Sequence, residues 1–417
     1  MAIEDDVLVV GGGVAGMTAA LAAADAGAAV RLVTKKQSTL AHASGLVDVL
    51  GYGPDGDLLA EPFDALCDLP DDHPYALVGS EAIRAGLARF DGVVGDAYVG
   101  GHTDRNALVP THGGAVKPTA RYPASAAAGL ASDDRDALLV GFETLPDFDA
   151  PLASAHLEAT GVPFDVRGEM LTFPGDVRAD ATATHYAHVL DADGDDARER
   201  LCGRVDRIHD GEPRVGLPAV LGQDHSAAVR ETLAAGLDAD VFEVPMGPPS
   251  LPGIRLEAAF RDAIAAAGVH VVRNPVVGYE TDDAGRLTAA VVERNGQRVP
   301  YRAASFVLAT GGLVGKGLGS DRRAVGEPVF GCHVSHPADR SDWFDDEPFG
   351  DQPFPGFGVV ADGDLRPRDA SGRIEFENLR AAGGVLGGYD FAAECSGTGV
   401  SLATGEAAGR AAGEEVT

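Results

Sequence analysis

VLVVGGGVAGMTAALAAADAGAAVRLVT, Val7 to Thr34, decides how the rest of the chain is read. Val7 to Val10 makes a short buried strand, Gly11 to Gly16 a tight turn, and Met17 to Ala26 an alanine-rich helix closed by Gly27. A second apolar strand, Ala29 to Thr34, completes a βαβ unit. In the G-x-G-x-x-G turn, Gly11 permits the sharp bend, Gly13 lets backbone N–H groups approach a pyrophosphate, and Gly16 lets helix and strand pack closely. A dinucleotide-binding unit of this kind normally places an acid about 20 residues further on to hold a ribose. Here that place is taken by Thr34, followed by Lys35 and Lys36.

Two further glycine sites follow. SFVLATGG, Ser305 to Gly312, reads as a buried strand ending in a turn, with Ala309, Thr310, Gly311 and Gly312 at its tip. GGVLGGYDFAAECSGTGVSLATGEAAGRAAG is a glycine-rich loop leading into a small-residue helix, and Gly399, Val400 and Ser401 stand where that helix offers N–H dipoles to the electron-rich edge of a flavin ring. Three glycine sites in that order favour a flavin over a nicotinamide, which predicts a single glycine turn and an acid near Thr34. Between them, Asp133 to Val166 reads as strand, loop, helix and strand without a glycine fingerprint. Arg255 to Gly268 has helical periodicity, and VHVVRNPVVGYE, RLTAAVVE and QRVPYRA alternate like a small antiparallel meander. The expected fold is α/β, a Rossmann-like FAD/NAD(P)-binding domain (1–100 and 250–417) with an inserted α/β lobe (101–249) for substrate or interaction.

The 417 residues are long enough for two or three cores. Acids outnumber bases 64 to 33, a formal charge of -31, and they are scattered through the loops as on a surface adapted to high salt. Only Lys35, Lys36, Lys117 and Lys316 are lysines. Such a charge excludes nucleic acid as a partner and opposes contact with anionic lipid. The four cysteines are far apart and form no C-x-x-C, so no zinc or iron–sulfur site, and no other metal site, is expected. An acidic N-terminus that enters a strand at once, and apolar runs well short of a span, point to a cytoplasmic chain with no direct membrane insertion.

The runs QSTLAHASGLVDVLGYGPDG, HPYALVG, HGGAVKPTA, LLVGFETLPDFDAPLA, FVLATGGLVGKGLGSDR and ENLRAAGGVLGGYDFAAECSGTGVSLATGEAA, in unbroken order over nearly the whole chain, resemble the B subunits of the anaerobic glycerol-3-phosphate dehydrogenases. That family is related to the fumarate reductase and succinate dehydrogenase flavoproteins. The resemblance implies a flavin-dependent oxidoreductase component of a complex that oxidises sn-glycerol 3-phosphate to dihydroxyacetone phosphate. Its partners would be a catalytic flavoprotein (the family's A subunit) and an iron–sulfur, membrane-associated protein (its C subunit) that passes electrons to quinone, holding this chain on the inner face of the membrane. The alternative is a non-catalytic flavin relay or scaffold within that complex. The family is associated with FMN, whereas the glycine fingerprint is an FAD-type site; both stay open here. The resemblance implies a Thr34 hydroxyl in place of the ribose acid, with Lys35 near the phosphates. It places His42 (candidate base), Ser44 and Gly45 beside the flavin, joined by Gly384 of the late glycine loop. Lys117, Arg121, Arg322 and Arg323 are the candidate phosphate ligands of a substrate site, and Trp343 and Tyr389 are candidate pocket walls.

Overall fold

The computed structural model describes residues 3–35, 39–175, 177–178, 181–192, 194–348 and 350–417. They form two compact units: Met1–Thr39, Asp48–Val93 and Ala259–Thr417 make the first, and Leu40–Val47 with Val94–Ala258 the second. The segment 101–249 read as a lobe falls in the second unit, which also takes in Leu40–Val47 and runs from Val94 to Ala258.

The first unit is built on a five-stranded parallel sheet in the order His270–Arg273, Val30–Thr34, Val7–Val10, Ser305–Leu308, Leu379–Ala381. Val7–Val10 and Ser305–Leu308 are buried along their whole length. A strand covered on both faces has no polar side to alternate, hence the unbroken apolar runs VLVV and SFVL. The first helix, Val14–Asp25, and the last, Gly397–Val416, pack against each other and against this sheet. Val276–Thr281, Leu287–Arg294 and Gln297–Arg302 form the antiparallel meander, with Ile3–Glu4 added parallel to its last strand.

One expectation is corrected here. HVVR, read as part of the meander, pairs parallel with Val30–Thr34 as the edge strand of the main sheet. Asn274–Pro275 separates it from the meander proper, since proline cannot donate to a ladder and holds its predecessor extended. Being an edge, this strand is largely exposed, and its burial pattern carries no core signal.

The second unit holds its own parallel sheet, ordered Asp240–Val244, Arg214–Pro218, Ala137–Phe142, Val166–Leu171. The expected strand, helix and strand are Ala137–Phe142, Ala150–Ala159 and Val166–Leu171, and the Asp149 carboxylate caps the helix by accepting from Leu152 N–H at 2.9 Å. Phe142, Phe173 and Tyr186 meet ring to ring in the core. No helix among the described residues is long and apolar enough to cross a membrane.

Candidate functional site

Parallel pairing brings the carboxyl ends of the five strands to one edge of the first unit's sheet, where ligands of open α/β sheets bind. The hydrogen-bond ladder continues one residue past the strands there: Gly11 N–H donates to Val33 O (2.8 Å), Ala309 N–H to Val10 O (2.8 Å) and Ala382 N–H to Leu308 O (2.9 Å). The turns Gly11–Gly16, Ala309–Gly312 and Gly383–Gly384, which follow the adjacent strands Val7–Val10, Ser305–Leu308 and Leu379–Ala381, thereby lie side by side at this edge, centred on the end of Ser305–Leu308.

What a side chain would meet at each glycine separates their roles. Gly11 has φ +123°, and a Cβ there would run into the Ala309 carbonyl; a Cβ at Gly16 would run into the carbonyl of Gly11. These two glycines let chain touch chain. Gly13 is different, because a Cβ there meets nothing within 4 Å. Gly12 packs on Thr34, whose hydroxyl oxygen would lie 2.8 Å from a Cβ at Gly12, so the Thr34 side chain borders the turn in the place of the missing acid. Lys35 is exposed beside it, and Lys36 lies outside the described residues.

The helix Val14–Asp25 starts at Gly13 with no side-chain cap and no acid in its first turn, so the partial positive charge of its N–H groups is left for an anion. In the neighbouring turn the Thr310 hydroxyl is buried without a hydrogen-bond partner. Open space at Gly13, an uncapped helix start and an orphaned hydroxyl fit a bound nucleotide phosphate. Gly312 and Gly384 face each other, a Cβ on Gly312 standing 2.5 Å from Gly384 O, so these two turns close one wall of the edge.

The start of the last helix is held by residues that sequence reading missed. Asp48, 6% exposed, accepts from Thr398 N–H at 2.8 Å, and Gly399 packs on Tyr75 and on the backbone of Asp48 and Val49. Ser396 does not cap the helix; its hydroxyl donates to Glu394 Oε2 at 2.8 Å. The same carboxylate oxygen lies 3.1 Å from His73 Nε2, while His73 Nδ1 accepts from Tyr75 N–H at 3.0 Å. That second bond fixes the tautomer, so Nε2 carries the proton and donates to Glu394. Burial, and after it the charge of Asp48, raises the Tyr75 hydroxyl pKa; burial and then Glu394 raise that of Tyr389, which packs edge-on against His73. His73 and Glu394 are 321 positions apart, a pairing no local pattern announces. Ser401 donates to Gly397 O at 2.8 Å and Val400 is fully buried.

Of the remaining sequence candidates, His42, Ser44 and Gly45 belong to the second unit. His42 is exposed at the end of a short 3₁₀ turn, Ser44 Oγ accepts from Leu46 N–H at 3.3 Å, and Gly45 packs on Pro252 with its carbonyl accepting from Tyr98 at 2.8 Å. Lys117 is half-buried on the hairpin strand Val116–Thr119 of the same unit. Arg121 is 7% exposed and donates to the carbonyls of Gly100 (3.1 Å) and Ala120 (3.0 Å). Arg322 and Arg323 are exposed in the first unit. Trp343 donates to Pro337 O at 2.8 Å and packs on His336 and Phe357.

Residues 6–400 match the family model described as FAD binding domain. A Halobacterium salinarum protein, named as the probable B subunit of an anaerobic glycerol-3-phosphate dehydrogenase, is 61% identical, covering all of this chain and 99% of its own length. A Vibrio cholerae protein, named as the B subunit of the same dehydrogenase, is 33% identical over 96% of this chain and 94% of its own. Among solved structures, a flavocytochrome c3 fumarate reductase in an open conformation is 14% identical over 99% of this chain and 79% of that one, with TM-score 0.48. The chain is a flavin-dependent oxidoreductase of the FAD-binding domain family and belongs to the B subunits of the anaerobic glycerol-3-phosphate dehydrogenases.

Proposed function

We propose that the chain binds FAD and is the flavin component of a complex that oxidises sn-glycerol 3-phosphate to dihydroxyacetone phosphate. The observation that carries the cofactor reading is the contrast among the first glycines: Gly11 and Gly16 are filled by protein, while Gly13 opens onto free space at an uncapped helix start. A pyrophosphate over Gly11–Gly16 would take the free N–H groups of the first helical turn, with Thr34 at the ribose and Lys35 adding charge. That arrangement calls for a dinucleotide, hence FAD and not FMN. Ala309–Gly312, Gly384 and Gly399–Ser401 are the proposed contacts of the remaining flavin, and Thr310 donates or accepts through its unpartnered hydroxyl.

A bound flavin supplies the acceptor for the hydride on the carbinol carbon. The hydroxyl proton needs a base, for which His42 is proposed, and the phosphate ester needs cations. Lys117, Arg121, Arg322 and Arg323 are the proposed candidates for that role, Arg121 also donating to two backbone carbonyls. The naming of the relatives as B subunits supports companion chains. We assign substrate chemistry in part to a second, catalytic flavoprotein and electron transfer to quinone to an iron–sulfur protein, which would hold this chain at the membrane's inner face.

Anaerobic titration of the flavin-loaded chain with glycerol 3-phosphate tests the substrate reading. Saturable bleaching or fluorescence change is expected, and Lys117→Ala should weaken it by about one to two orders of magnitude, the worth of a charge-assisted contact of roughly 1.5 to 3 kcal/mol. A wild-type chain that gives no response while the assembled complex is active would overturn a substrate site here and leave an electron relay.

A further inference from the structure

We propose that His73 and Glu394 are positioning residues that hold the first turn of the C-terminal helix in the place where its N–H dipoles meet the flavin; this rests on the flavin reading above. Glu394 is a hub. Its carboxylate accepts from His73 Nε2 (3.1 Å), Ser396 Oγ (2.8 Å) and Asp390 N–H (3.1 Å), and its backbone carbonyl accepts from Gly51 N–H (2.7 Å) and Tyr52 N–H (3.1 Å). One residue thus ties the chain before the helix to the segments around residues 51 and 73. His73 has no exposed surface, and both ring nitrogens are in use. Asp48 completes the clamp from the same side through Thr398 N–H, and the Tyr75 hydroxyl is anchored on Val49 O at 2.7 Å.

The cost of burying these polar groups is offset only if they stay mutually satisfied, so the network has one arrangement and the helix start inherits it. Ser396, the residue that would ordinarily cap the helix, turns its hydroxyl to Glu394 instead. A helix that gives up its own cap to the half-buried Glu394 carboxylate is held by its N-terminal flank, and its remaining first-turn N–H groups stay available to a ligand.

The imidazole can be split chemically. An Asn amide oxygen reaches the place of Nδ1 and keeps the Tyr75 contact but not Glu394; a Gln amide nitrogen reaches the place of Nε2 and keeps Glu394. The measurements are hydrogen exchange of the amides of residues 397–401 in the flavin-free chain, flavin affinity, and the reduction potential of the bound flavin, all in molar KCl. His73→Asn and Glu394→Gln should speed exchange at those amides by about tenfold with little change elsewhere, weaken flavin by a similar factor and lower its potential, because reduced flavin loses dipolar stabilisation. His73→Gln should restore most of all three. Wild-type exchange, affinity and potential in a folded His73→Asn protein would overturn the proposal. Should that variant fail to fold, Ser396→Ala removes one donor to the same carboxylate and decides by the same readouts. A wild type that takes up no flavin overturns the flavin reading itself, whereas exchange in the flavin-free chain still decides the clamp.

Discussion

A side chain at Gly13 would touch no protein atom, and Gly13 has φ -82°, which any residue adopts. Gly13→Val should therefore cost no more than about 1 kcal/mol as a poorer helix N-cap and still abolish flavin uptake, giving colourless, folded protein. Gly16→Ala makes the opposite case: its methyl collides with the Gly11 carbonyl, so it should destabilise by more than about 4 kcal/mol and lose flavin through the fold. Far-UV circular dichroism and the visible spectrum of both variants separate the two effects; a yellow Gly13→Val protein would sink the phosphate assignment. The turn glycines are legible in the sequence because their spacing is local, and Gly11 and Gly16 each have one geometric reason. Thr34 is legible for the same reason, standing a fixed distance along a βαβ unit. His73, Asp48 and Glu394 are not, since their meaning lies in pairings across hundreds of positions. Arg121 shows another limit: a basic residue can be read as a candidate phosphate ligand, but that one of its guanidinium nitrogens donates to two backbone carbonyls is seen only in the fold.

Between elements, the contact of the first and last helices rests on small residues repeated every four positions. Gly405, Gly409 and Gly413 lie against Ala15, Ala19 and Ala23, each glycine over a backbone carbonyl. Gly409→Leu gains up to about 1 kcal/mol of helix propensity but drives a side chain into Ala19, and overpacking of about 1 to 3 kcal/mol or more should win. Gly92→Ala in the helix Pro74–Val94 is the control: its Cβ meets nothing, so it should stabilise by roughly 0.5 to 1 kcal/mol. Urea melts in molar KCl read both, and equal destabilisation of the two would contradict the packing. In the second unit, Glu243 (1% exposed) accepts from Arg255 at 2.6 and 3.0 Å and from Leu221 N–H at 2.8 Å. Burial alone raises its pKa, but the charge and hydrogen bonds of Arg255, together with the hydrogen bond from Leu221 N–H and the other bonds it accepts, outweigh that and leave it lowered. A lowered carboxyl contributes stability that is present above the unfolded value of about 4.3 and lost as pH falls through the folded one. Glu243→Gln should thus flatten the acid limb of the stability curve and cost about 3 to 5 kcal/mol at neutral pH by leaving Arg255 unpaired. An unchanged acid limb would remove Glu243 as its source. The strands on both sheets are readable from apolar runs; His270–Arg273 is not, because an exposed edge strand lacks the burial that periodicity reports.

For the whole molecule, a charge of -31 with only four lysines is a self-repelling surface that counter-ions must screen. The Debye length grows from about 3 Å at 1 M to about 30 Å at 0.01 M salt, so the melting temperature should fall steeply on dilution of KCl. The 61% identical relative comes from Halobacterium salinarum, in keeping with such a surface. A melting temperature unchanged from molar to millimolar salt would remove the adaptation. Every cofactor measurement on this chain therefore belongs in molar KCl, and the most direct one is the absorption spectrum of the purified protein with chromatography of the nucleotide released on denaturation. One FAD per chain is the expected result; a chain purified and reconstituted under these conditions that releases no flavin, or that holds FMN alone, would contradict the dinucleotide site at Gly11–Gly16.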